Sequence, residues 1–113
     1  MKKCVWVSIS IVASVFANAT FAAEQWGSSS VRTVYPMADG SFVVQLMTDP
    51  PNCPATSSPK YLWVVPGQNG VTADGVKAML ATALTAFVAG KTLQVAFSDA
   101  STACYVNRMA ITD

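Results

Sequence analysis

A chain of 113 residues with no histidine, a formal net charge of +1 and only 12% charged residues has room for one small domain. So few lysines and arginines exclude the electrostatic footprint of a nucleic-acid-binding protein and offer little hold on anionic lipid surfaces. The missing histidine removes the side chain that most often exchanges protons near neutral pH, so an enzyme is not expected.

The chain opens with MKKCVWVSISIVASVFANATFAA, which has the three parts of a secretory signal. Lys2 and Lys3 form the positive start, and residues 4–16 form an apolar run too short to span a bilayer comfortably. Ala17-Asn18-Ala19 and Thr20-Phe21-Ala22 supply small residues for cleavage. Cleavage is expected after Ala22, making residues 1–22 a signal peptide and residues 23–113 a secreted or periplasmic domain with no membrane span. Cleavage after Ala19 is the rival, and an uncleaved membrane anchor is the alternative to both. Cys4 lies at the front of the apolar run, whereas a lipoprotein signal puts its cysteine at the end. Beyond the leader, the five cations Arg32, Lys60, Lys77, Lys91 and Arg108 face six carboxylates, Glu24, Asp39, Asp49, Asp74, Asp99 and Asp113, for a net charge of −1.

The segment EQWGSSS, residues 24–30, is polar, carries one tryptophan and is the stretch least explained by packing. A first strand follows over SVRTVYP, residues 30–36, and Asp39-Gly40 marks a hairpin turn. The second strand, SFVVQLMT, puts Phe42, Val44 and Leu46 on one face and Val43, Gln45 and Met47 on the other. Its successor DPPNCPATSSP is a loop, because prolines are excluded from central strands. The third strand, KYLWVV, is apolar on both faces and is therefore central or covered.

A glycine-rich connection leads to a helix with Thr72 as N-cap, Asp74 in the first turn and Gly90 at the left-handed C′ position. Its expected core stripe is Val76, Leu80, Ala83, Leu84, Phe87 and Val88. The opposite face carries Lys77, Ala78, Ala81, Thr82, Thr85, Ala86 and Ala89, with Met79 at the border and one charge in all. That face is either a solvated alanine helix or a contact with other subunits, where interfaces lose their charges. On the second reading Ala78, Ala81, Thr82, Thr85 and Ala89 form the oligomer interface. The fourth strand is KTLQVAFS and the fifth CYVNRMAIT.

Three strands, a helix and two strands is the order of an OB-fold, a five-stranded Greek-key barrel. A cystatin-like or other α+β sandwich is the alternative, although its helix would come first. Cys53 and Cys104 remain after the leader, and an even pair in an exported domain reads as one disulfide. Barrel topology agrees, since the loop after strand two and the start of strand five lie at the same end. A metal or redox role is disfavoured by the absence of a CxxC motif and of histidine. No metal or other cofactor is expected.

Asp39, Asp49, Asp74 and Asp99 sit beside turns or the helix start, where aspartate has structural work, and would make a hydrolase only if the fold gathered them. Trp26, Tyr35, Tyr61, Trp63, Phe97 and Tyr105 are many aromatics for this length. Flat rings beside hydroxyl and amide groups suit sugars, which present apolar C–H faces rimmed by hydroxyls. Most of these rings would otherwise serve the core.

ALTAFVAGKTLQVAF, residues 83–97, resembles the helix-to-strand passage of the B subunits of subtilase-type cytotoxins. Glu24 and Trp26, followed by serines and a valine-rich strand, resemble that family's start. The resemblance implies an OB-fold subunit in a homopentameric ring, with helices lining its centre, a toxin A subunit as partner and an outer site for sialylated glycans. It places the sugar-contacting serine on Ser29 or Ser30, and the sugar-contacting tyrosine on Phe97, which lacks the hydroxyl. Trp26 is a further aromatic contact. The expected protein is an exported, non-enzymatic binding domain that oligomerises through its helix and binds cell-surface glycan. The alternative is a monomeric periplasmic or secreted domain that binds or inhibits another protein through its loops.

Overall fold

A computed structural model describes residues 23–113; the expected signal peptide at residues 1–22 lies outside the described residues. The elements follow in the order β1 (Glu24–Pro36), β2 (Phe42–Leu46), β3 (Leu62–Val64), α1 (Ala73–Ala89), β4 (Thr92–Ser98) and β5 (Val106–Thr112). The sheet runs β3-β2-β1-β4-β5 with antiparallel neighbours. A parallel bridge between Trp63 and Tyr105, with the Trp63 N–H donating to the Cys104 carbonyl at 3.3 Å, joins the outermost strands and closes the barrel. The architecture is mainly β with one helix between the third and fourth strands, and the α+β sandwich is set aside.

The first strand is longer than its apolar half predicts. It begins at Glu24, not Ser30, because EQWGSSS pairs residue for residue with β4, from Glu24↔Ser98 to Ser30↔Thr92. Its second half pairs with β2, and the register slips between Val31 and Thr33, leaving Arg32 in a bulge. A bulge bends a strand and raises its twist, which lets one strand serve both sides of a barrel. The alternation inside EQWGSSS accounts for its polarity. Gln25, Gly27 and Ser29 are half-buried under the proline-rich loop, while Glu24, Trp26, Ser28 and Ser30 are exposed. Asn52 donates to Gln25 Oε1 at 2.9 Å, and the Thr48 N–H donates to Ser29 Oγ at 3.0 Å.

The core gathers Phe42, Val44 and Leu46 from β2, Leu62 and Val64 from β3, Leu93, Val95 and Phe97 from β4, and Val106 from β5. Cys53 and Cys104 are joined in a disulfide with Cα atoms 5.9 Å apart, tying the proline-rich loop to the start of β5. The pair is separated by 51 residues, and in the chain-entropy model closing such a loop stabilises the fold by about 4 kcal/mol.

The helix has the expected ends. Thr72 Oγ1 accepts from the Gly75 N–H at 3.0 Å, and Gly90 adopts φ 65° with the Gly90 and Lys91 N–H groups donating to Phe87 and Ala86. Its buried face is turned from the expected one. Val76, Ala83 and Ala86 are buried, with Met79 and Leu80 packed against the core. Leu84, Phe87 and Val88, expected inside, are exposed, and Ala86, expected outside, is fully buried. The cause is spacing: the helix lies on β1 and β5, and small side chains let its backbone approach where larger ones would hold it off. Choosing the face by side-chain size therefore misplaces the C-terminal half.

Candidate functional site

The outer surface of β1, β2 and β3 carries a cleft built from one cross-strand row and its neighbours. Tyr35, Val43 and Trp63 stand opposite one another on three adjacent strands. Tyr61 lies two residues before Trp63, so alternation points it to the same side. The Tyr35 and Tyr61 rings meet edge to face at 6.2 Å, as do those of Tyr61 and Trp63. Such pairs add about 0.5–1.5 kcal/mol each and brace the rings. With Met37 from the hairpin they enclose about 250 Å³. Val43 forms the floor at 1% exposure although it lies outside the core cluster, while Tyr35 and Tyr61 remain about two-fifths exposed. No lining residue carries a formal charge.

The hairpin beneath Met37 is fixed by Asp39. Its Oδ1 accepts from the Ser41 hydroxyl at 2.5 Å and the Ser41 N–H at 3.0 Å. These bonds, the hydroxyl's first, hold the Asp39 carboxyl below its ordinary pKa. The other aspartates are spent separately. Asp49 accepts from the Lys60 N–H, Asp99 accepts from Ala23 and Gln25 at the start of β1, and Asp74 lies in the first turn of α1. Among the described residues no group of three or more histidine, cysteine, aspartate or glutamate side chains gathers as a metal site.

The positions assigned by resemblance do not converge. Phe97 is buried in the core row of β4, and it also lies among the residues lining a polar depression with Glu24 and Ser98. Its place in a core row of β4 favours the apolar ring over a hydroxyl. Ser29 points under the proline-rich loop, where its hydroxyl accepts from Thr48, whereas Ser30 is on the exposed face with Trp26. Trp26 is half exposed, and the Arg108 guanidinium lies 4.9 Å from its ring centroid while pairing with Glu24 at 2.8 Å. This stack covers Ala96, the residue opposite both Trp26 and Arg108, which is fully buried. Beside it, Glu24, Asn69, Phe97, Ser98 and Asn107 line a depression of about 210 Å³ whose exposed surface is mostly polar.

A second surface lies on α1. From Ala78 to Ala89 the helix has no charged residue. Ala78, Ala81, Thr85 and Ala89 are exposed and Thr82 is half-buried. The Thr82 and Thr85 hydroxyls donate to the Ala78 and Ala81 carbonyls at 3.0 and 2.7 Å, so their polarity is satisfied within the helix. Leu84 and Val88 join this face, and Val88 is 83% exposed. The face is thus more apolar than the sequence pattern indicates. Among the described residues no helix is long and apolar enough to cross a membrane.

Met37 and Val43 were not singled out as site residues by the sequence pattern. Their signal was present in part: the second and third strands have apolar residues on both faces, which requires a cover, and here the cover is a set of half-exposed rings.

No protein-family model matches the chain, and a search of curated proteins finds no match. Among solved structures, the chain is similar to human heat-labile enterotoxin in complex with a blood group A antigen analog. The TM-score is 0.57 at 11% identity, covering 83% of this chain and 90% of that one. At this identity the likeness is one of fold: the chain's fold is similar to that of the enterotoxin, in keeping with the distant resemblance to toxin B subunits carried by residues 83–97.

Proposed function

We propose that this chain is exported, with residues 1–22 as its cleavable signal and residues 23–113 as one domain, and acts without catalysis as a self-assembling glycan-binding subunit. The observation that carries the reading is the bare outer face of α1, where Leu84 and Val88 stand exposed beside alanines and internally bonded threonines. An apolar patch of this kind on a small domain marks an interaction surface. Lys77 at the N-terminal end is the one charge on this face, and from Ala78 to Ala89 it is uncharged, which suits a second copy of the same helix at the centre of a ring. The toxin-type fold supports the same arrangement, and the enterotoxin solved with a blood group antigen analog supports glycan as the ligand class. Separate structural employment of the four aspartates supports a non-enzymatic role. A catalytic A subunit seated on the ring is the partner that follows from this reading.

The test is light scattering on the purified exported protein together with a glycan array. A closed oligomer that binds glycan is expected. A monomer that binds none would overturn the reading, and a monomer that captures and inhibits an enzyme would put a loop-based inhibitor in its place.

A further inference from the structure

From the geometry of the β1–β2–β3 surface we infer that the cleft walled by Tyr35, Tyr61 and Trp63 over Val43 is a carbohydrate subsite for one neutral pyranose residue. The inference rests on the glycan-binding reading and deepens it, because it names the site and the class of sugar.

Three properties select this occupant. The first is the combination of flat apolar surface and hydroxyl groups. A pyranose ring has a face of C–H bonds that packs on an aromatic ring and a rim of hydroxyls that needs hydrogen-bond partners. Tyr35 and Tyr61 each supply a half-exposed ring and a phenol that both donates and accepts. The second is size. A volume of about 250 Å³ lies just below the usual range for sites that enclose drug-sized ligands, and suits a single ring rather than a chain of them. The third is charge. Tyr35, Met37, Val43, Tyr61 and Trp63 include no cation, so a sialic acid carboxylate seated here would lose water without gaining a counter-charge. Lys60, adjacent to Tyr61, has its ammonium on the Cys53 carbonyl. An uncharged cleft matches an uncharged sugar.

The cleft is also preformed. Tyr35, Val43 and Trp63 are held by strand pairing on both sides of Val43, and the rings brace one another edge to face. The edge of β3 is closed by the bridge from Trp63 to Tyr105, so an extended peptide finds no free edge to join at that residue. None of the lining residues belongs to the α1 face, so assembly through the helix does not consume the cleft.

The experiment maps amide and indole chemical shifts of the purified exported protein during titration with methyl galactoside, methyl glucoside, methyl N-acetylglucosaminide and sialyllactose. At least one neutral glycoside should shift Tyr35, Val43, Tyr61 and the Trp63 indole N–H together. Tyr61→Ala and Tyr35→Ala should each weaken that glycoside at least tenfold, and Tyr61→Phe should weaken it by less. An unchanged dispersion of the remaining amide signals establishes that each variant is folded. Shifts confined to Glu24, Trp26 and Arg108 would overturn the subsite while leaving glycan binding intact. Binding of sialyllactose alone, untouched by the tyrosine variants, would do the same. A glycan array blank for every sugar would overturn both the subsite and the reading beneath it.

Discussion

At Gly27 the backbone of β1 passes so close to the proline-rich loop that a Cβ would stand 2.9 Å from Pro50 Cβ and 3.0 Å from its Cγ. A proline ring cannot swing aside, so the residue must be glycine for reasons of space. Gly27→Ala is expected to cost about 1–3 kcal/mol, the usual range for overpacking, and to lower the thermal midpoint by several degrees. An unchanged midpoint in calorimetry would mean that the loop is not seated on β1 as described. Asp39 makes a different claim, about pH. Its carboxyl is held below its ordinary pKa by Ser41, so the ionised form is favoured in the folded state. The stabilisation is therefore present above the unfolded value of about 3.9 and is lost as pH falls through the lower native value. Asp39→Asn should lower the midpoint at neutral pH and leave it nearly unchanged in acid; equal losses at both would contradict the assignment.

Among the elements, α1 and β1 teach the most. The ends of the helix were legible because Thr72 and Gly90 act through local chemistry: a side-chain oxygen for a free N–H, and a backbone without a Cβ penalty. Its rotation was not, because that depends on how closely it approaches β1 and β5, and Ala83 and Ala86 win the inner positions by being small. The extent of β1 was hidden for a related reason. Gln25, Gly27 and Ser29 face a polar, proline-rich loop rather than an apolar core, so they carry no hydrophobic alternation. The aromatic cleft was half legible. Tyr35, Tyr61 and Trp63 stood out by composition, but only the strand register places them around Val43. The rotated helix sharpens the prediction for assembly. Thr85→Glu combined with Val88→Glu places two carboxylates on exposed positions, so the fold of the protomer should lose about 1 kcal/mol or less. The same pair should dissolve an oligomer built on that face, as read by sedimentation velocity. An oligomer of unchanged size would place the interface elsewhere.

For the molecule as a whole, the described domain is a closed barrel with two unlike surfaces. One is an apolar helix face with its hydroxyls turned inward; the other is an uncharged cleft of braced aromatic rings. Closure through Trp63 and Tyr105, and the disulfide between Cys53 and Cys104, hold the strands that carry the cleft independently of the helix face. A division of this kind suits a subunit that joins its copies on one side and meets a ligand on another. The central claim is that the helix face is an interface between copies of this chain. Light scattering on purified residues 23–113 at micromolar concentration tests it most directly. The expected result is a single species several times the mass of the protomer; a protomer mass across the accessible concentration range would contradict it.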